Sequence, residues 1–266
     1  MSIDIQKEFI HRGNWDTLVV LDACRYDVFR DVYQRYLSGN LEPVKTGVDN
    51  TGAWLKKTFP GYYDLVYVSG TPHINSWGLS LSETNNEWEW NWAAKKHFKE
   101  IVDVWDFGFD KNVGTVRPEA ITETGLKLSS DKKILHYVQP HFPSLLLEHQ
   151  SRNSGEENGL RKENLNPVKK KIEKVIRRVF NDKIFIHLKD FIGSTTNGYA
   201  GCYLSDEGIE YHYRKNIELA LESLSRYVEN RNEETVIVTA DHGEYLGENG
   251  HFGHKEMSVP WMRVEK

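Results

Sequence analysis

Two apolar runs in this chain end in acids that can do chemistry. Thr17–Leu21 (TLVVL) closes on Asp22, and Thr235–Ala240 (TVIVTA) closes on Asp241, followed at once by His242, Gly243 and Glu244. Two further histidines, His251 and His254, follow among glycines. A single strand ending in aspartate says little, because Asp is also a good helix N-cap. Two such strands near opposite ends of the chain, one continued by histidine, are more selective. In parallel α/β sheets the carboxyl ends of the strands line the ligand crevice. Carboxylate oxygens joined by an imidazole nitrogen suit a borderline divalent cation such as zinc or manganese, with calcium or magnesium as the alternatives. Arg25 lies just beyond Asp22 and beside Asp27. It could hold an anionic oxygen bidentately or form a surface salt bridge.

These residues need a sheet to position them. Thr17–Leu21, Asp64–Ser69, Lys133–Val138, Thr235–Ala240 and Val259–Val264 are short apolar runs rich in Val and Ile. They read as buried strands of a mostly parallel sheet. Helical stretches between them give an α/β fold, a mostly parallel central sheet flanked by helices. The clearest helix is His212–Glu229, where Ile217, Leu221, Leu224 and Val228 form an apolar stripe. Residues 86–104, with Trp88, Trp90 and Trp92, also read as helical. Those tryptophans are expected to pack, with an exposed aromatic platform as the alternative. Residues 151–183 break the rhythm. A turn-rich SRNSGEENG leads into a helix with Val168, Ile172, Val175, Ile176 and Val179 on one face and basic residues elsewhere. Such a helix suits peripheral contact with an anionic membrane, or is simply docked with its basic face in solvent. The expectation is a single domain over 1–266 with a basic helical insertion at about 151–183.

With 266 residues, 39% hydrophobic and 27% charged, the chain can bury one substantial core. A formal net charge of −5 gives no reason to expect a nucleic-acid partner. Cys24 and Cys202 are too few for a disulfide framework. The opening MSIDIQKEFIHRGNWD lacks the apolar core of a signal peptide, and no stretch reaches membrane-span length. A cytoplasmic location is the resulting expectation.

Taken together, VVLDACRYD near the start and VIVTADHGEYLGENGHFGH…VPW near the end resemble the alkaline phosphatase/sulfatase superfamily, in particular its sulfatase-like hydrolase and transferase branch. The resemblance implies an alkaline-phosphatase-like fold and a metal held by Asp22, Asp241 and His242. It also implies a nucleophile at the start of a helix downstream of Asp22. NTGAWLKKTFPG (50–61) resembles that segment and places Thr51 at the nucleophile position, touching the metal. Thr51 could instead cap the helix, and Thr46 is the competing nucleophile. LHYVQPHFP (135–143) resembles the superfamily's strand ending in a His-x-Pro element, which puts His141 near the transferred group; His141 as a structural residue is the alternative. His254 fits the Gly-His element before the final strand, as a metal ligand; with His141 it would stabilise the leaving or equatorial oxygens or contribute to a weak second metal site. Glu244 is either a partner of the ligands or a helix acid.

Three departures narrow the activity. Gln139 stands where many members carry Asp, neither cysteine has the context of a formylglycine precursor, and Ala23 follows Asp22 where sulfatases pair two acids. The resemblance thus implies a metal-dependent hydrolase or transferase of phosphate esters with a threonine nucleophile. An anionic ester, glycan- or lipid-linked, would be the substrate. The alternatives are a sulfatase without formylglycine and a non-catalytic binder of anionic glycans or lipid headgroups.

Overall fold

In the computed structural model, residues 5–85, 87–147, 207–231 and 235–265 are described. The basic segment at 151–183, its SRNSGEENG entry and Cys202 lie outside them. The strands are β1 (Thr17–Leu21), β2 (Gly39–Lys45), β3 (Tyr63–Ser69), β4 (Phe98–Asp103), β5 (Phe109–Asp110), β6 (Thr115–Val116), β7 (Lys133–Tyr137), β8 (Val236–Ala240), β9 (Gly243–Leu246), β10 (Phe252–Lys255) and β11 (Ser258–Val264). The helices are α1 (Gln6–Arg12), α2 (Tyr26–Arg30), α3 (Thr51–Thr58), α4 (Leu81–Thr84), α5 (Val104–Phe107), α6 (Pro118–Lys127) and α7 (Gly208–Asn230).

A seven-stranded sheet in the order β2-β11-β8-β1-β7-β3-β4 forms the centre. The pairs β8–β1, β1–β7, β7–β3 and β3–β4 are parallel, while β11 runs against both β8 and β2. This is the mostly parallel α/β sheet expected from the apolar runs. In β1, β7 and β8 every residue is buried, because helices cover both faces and leave no wet side for polar alternation. The stripe of α7 is buried through Ile217, Leu221 and Leu224, and the helix packs on α6.

Residues 86–104 differ from the helix read in the sequence. From Glu87 the chain is irregular to Ala93, then makes one short turn of helix and enters β4. The physical reason lies in the tryptophans, which recur every second residue, the period of extended chain. Trp92 is buried and donates to the Phe59 carbonyl over 3.1 Å. Trp88 and Trp90 stack with centroids 5.9 Å apart, and the Trp88 ring lies on the backbone of Gly52. They are packing residues of α3 and not an exposed platform.

Candidate metal centre and nucleophile

Strand register brings the two acids together. Leu21 is paired with Ala240 across β1 and β8, and with Tyr137 across β1 and β7. Asp22 and Asp241 are the next residues of adjacent parallel strands and emerge side by side at their carboxyl ends. Directly after Asp22, Ala23 adopts a left-handed backbone, φ 61°. That conformation costs a non-glycine residue roughly 1 kcal/mol. It aims the Ala23 N–H at Asp241 Oδ1, 3.0 Å away. The same oxygen accepts the His242 N–H at 3.0 Å, which leaves Asp241 Oδ2 for other work.

That work involves Thr51. Its hydroxyl donates to Asp241 Oδ2 over 2.7 Å and stands 3.5 Å from His242 Nε2. Asn50, and not Thr51, is the N-cap of α3: its side chain accepts from the Ala53 N–H at 2.9 Å. The Thr51 hydroxyl is thereby spared capping duty. Gln6 fixes α3 against β8, since its amide donates to Thr239 Oγ1 and the Ala240 carbonyl, each at 2.6 Å, and accepts from Trp54 Nε1 at 2.7 Å. The competing Thr46 spends its hydroxyl locally on the Val48 carbonyl, 3.0 Å away.

The donor atoms of Asp22, Asp241 and His242 lie within 4.8 Å of one another, and all three residues are buried. His242 Nδ1 is 2.9 Å from the Gly243 carbonyl and donates to it. Its Nε2 therefore faces Asp22 Oδ1 at 3.4 Å and Asp241 Oδ2 at 3.5 Å. Asp22 Oδ1 is buried with no hydrogen-bond partner. Burial opposes charge on His242, but Asp241 and Asp22 outweigh it and raise the imidazole to about 10. Burial likewise works against ionised Asp22, while His141 and His242 hold its carboxyl below the ordinary aspartate range. Two buried carboxylates converging on one nitrogen demand a cation at their centre, either a proton on His242 or a metal ion. The orphaned Asp22 oxygen and the mixed set of carboxylate, imidazole and hydroxyl donors fit a divalent metal ion.

A second group stands beside the first. His141, Glu244 and His254 also offer donor atoms within 4.8 Å of one another. His254, which the resemblance implies as a metal ligand or as a partner of His141 at a second site, groups with His141 here, and its ring centroid is 4.6 Å from that of His242. The Nε2 atoms of His141 and His254 are 2.9 Å apart. His141 Nδ1 donates to the Phe142 carbonyl at 2.8 Å, so the proton between the two rings sits on His254. Desolvation of the ring atoms, together with His242 and His141, lowers His254 from the ordinary imidazole range, although the residue as a whole is exposed on its hairpin. Glu244 is no helix acid: it lies in β9, in register with His254 of β10, so one hairpin supplies both.

Arg25 is engaged by protein carboxylates. It meets Asp27 Oδ2 at 2.7 Å and Glu248 Oε1 as ion pairs, and its Nη1 reaches the Glu244 carbonyl at 3.3 Å. The salt-bridge alternative describes this placement, and it ties α2 to the β9–β10 hairpin. His251 is exposed and stacks on Tyr245 outside both clusters. Sequence reasoning missed His136, which is buried in β7 with Nδ1 2.8 Å from the Tyr67 hydroxyl and Nε2 4.0 Å from Asp241 Oδ2. A lone histidine inside the apolar run KILHYV was the available signal. It also missed His73, in the loop after β3, whose ring lies against Trp88 with centroids 4.7 Å apart.

No family model and no curated protein sequence matches the chain. Solved structures do. The soluble domain of lipooligosaccharide phosphoethanolamine transferase A from Neisseria meningitidis is 12% identical, with 96% of this chain and 78% of that one covered and a TM-score of 0.40. A protein in the alkaline phosphatase superfamily from Vibrio parahaemolyticus is 10% identical, with 96% and 61% covered and a TM-score of 0.41. The C-terminal periplasmic domain of EcEptC from Escherichia coli, in complex with Zn, is 11% identical, with 96% and 74% covered and a TM-score of 0.39.

The cytoplasmic placement expected from the sequence is withdrawn, and no compartment is assigned to this chain. That expectation rested on the lack of an apolar leader or span. No helix among the described residues is long and apolar enough to cross a membrane, and that fact does not fix a compartment.

Proposed function

We propose that the chain is a metal-dependent hydrolase or transferase of phosphate esters, with Thr51 as the nucleophile. The observation that carries this reading is the Thr51 hydroxyl, buried at the start of α3 and bonded to Asp241 Oδ2 at 2.7 Å. Asp22, Asp241, His242 and Thr51 would hold the cation, which when bound lowers the pKa of the threonine hydroxyl and neutralises phosphoryl charge. Thr51 Oγ1 passes its proton toward Asp241 Oδ2, which already accepts it, and attacks phosphorus in line. The Thr51 Oγ1–P bond forms as the ester P–O bond breaks. The departing oxygen takes its proton from solvent, because the one Nε2 proton of the neighbouring His141–His254 pair is shared between the two rings. Water or an acceptor alcohol then attacks the phosphothreonine, loses its proton to solvent or this imidazole pair, and returns Thr51 as the leaving group. The first-turn N–H groups of α3 favour the anionic phosphoryl oxygens throughout.

A hydroxyl nucleophile is favoured over a modified cysteine because neither Cys24 (DACRYD) nor Cys202 (AGCYL) has the sequence context of a formylglycine precursor. The substrate is an anionic ester, with a glycan- or lipid-linked alcohol as the class implied by the resemblance. The test compares turnover of an aryl phosphate and an aryl sulfate by metal-loaded protein and by protein stripped with a chelator. Metal-dependent release from the phosphate supports the reading. Turnover of the sulfate alone, or of neither ester, contradicts it.

A further inference from the structure

We propose that α7 is the positioning element of this site, with Tyr213 and Asn216 as its two positioning residues; the proposal rests on the catalytic reading above. Three residues apart, they share one face of the helix, and both are fully buried. Tyr213 holds the loop that carries Asp22. Its hydroxyl donates to the Ala23 carbonyl at 2.6 Å and accepts the Arg25 N–H at 2.9 Å. This grips both sides of the left-handed turn that aims Ala23 N–H at Asp241.

Asn216 holds the loop that carries His141. Its amide nitrogen donates to the carbonyls of Pro140 at 3.2 Å, His141 at 3.4 Å and Pro143 at 3.1 Å. Its carbonyl oxygen accepts the Leu145 N–H at 2.9 Å. The loop contains two prolines and forms no ladder, so without Asn216 these buried carbonyls would lack that partner. The two loops also touch directly, with the His141 N–H donating to the Asp22 carbonyl at 3.2 Å. One helix turn thus fixes the spacing between the Asp22–Asp241–His242 cluster and the His141–His254 pair. A phosphoryl group bridging them depends on that spacing, since a displacement of about 1 Å can cost on the order of 100-fold in rate.

The test uses the full chain, metal-loaded, as wild type, Asn216→Ala, Tyr213→Phe and Leu224→Ala. Leu224 is buried about two turns further along α7 and serves as a control for helix destabilisation. Hydrogen exchange should rise about tenfold or more over residues 139–147 in Asn216→Ala and over 22–25 in Tyr213→Phe, with β1 and β8 unchanged. Aryl phosphate turnover in Asn216→Ala should fall about 10- to 100-fold in kcat with little change in KM. In a His141→Ala background the same substitution should cost almost nothing further, because its effect passes through His141. Unchanged loop exchange, equal loop opening in Leu224→Ala, or a full second loss in the His141→Ala background would each overturn the proposal. Absence of wild-type turnover would instead contradict the catalytic reading, and the exchange data would still decide the positioning role.

Discussion

The hydroxyl of Thr51 donates to Oδ2 of Asp241 across 190 residues of chain, at 2.7 Å, and both residues are buried. A threonine at a helix start and an aspartate at a strand end meet only because α3 is pinned to β8 through Gln6. Asp241 spends its other oxygen on the N–H groups of Ala23 and His242. The carboxylate is therefore oriented before any ligand arrives.

Asp241→Asn should preserve this orientation and lose the chemistry. The amide oxygen can still accept from Ala23 and His242, but an NH2 group then faces the Thr51 hydroxyl and His242. Metal affinity is expected to fall by at least about 10- to 100-fold, the range seen even for supporting residues of metal sites. Elemental analysis after dialysis checks it; equal metal in both proteins would remove Asp241 from the ligand set.

Metal binding should release close to one proton near neutral pH. His242, raised to about 10 in the metal-free protein, is protonated there and must lose that proton to ligate. The sign follows from the raised value. In the metal-free protein the proton on His242 contributes stability fully below about 6.5, and that contribution fades as pH climbs through about 10. Apparent metal affinity should accordingly increase with pH across that window. Titration calorimetry in buffers of different ionisation enthalpy reads the proton directly, and buffer-independent heats would contradict the assignment.

Gly52 has no room for a side chain. A Cβ there would lie 2.7 Å from the Trp88 ring, whose neighbour Trp90 stacks behind it. Gly52→Ala should cost about 1–3 kcal/mol of stability through overpacking and reduce turnover by tilting the first turn of α3. Thermal unfolding with steady-state kinetics tests this; an unperturbed, fully active variant would show that Trp88 does not hold the nucleophile helix.

Much of this arrangement was legible in the sequence, because its causes are local. The apolar runs before Asp22 and Asp241 are fully buried strands, and the stripe of α7 falls where its period places it. Edge strands β2 and β4 were not seen, since β2 is half-exposed and β4 falls inside the stretch read as helix. The region holding Trp88, Trp90 and Trp92 misled through a composition compatible with helix, although its spacing of two marks extended chain. The pairing of His254 with His141 came from the resemblance, but the addition of Glu244 was beyond local pattern, because it depends on the register of the β9–β10 hairpin. The gripping role of Asn216 was equally hidden, as an asparagine inside a helical stripe gives no hint of the loop it bonds.

The central claim is that Thr51 carries the phosphoryl group, and a trapped intermediate tests it most directly. Metal-loaded protein is mixed with an aryl phosphate, quenched in acid within the first turnover, digested and mapped by mass spectrometry. The account predicts a phosphate on the peptide beginning α3, localised to Thr51 and missing from Thr51→Ala. That variant should retain Asp22, Asp241 and His242 as ligands and remain folded. Thr46→Ala should behave as wild type, since it loses only a turn contact to Val48. Phosphate on Thr46 or on a histidine, or full turnover by Thr51→Ala, would contradict the account.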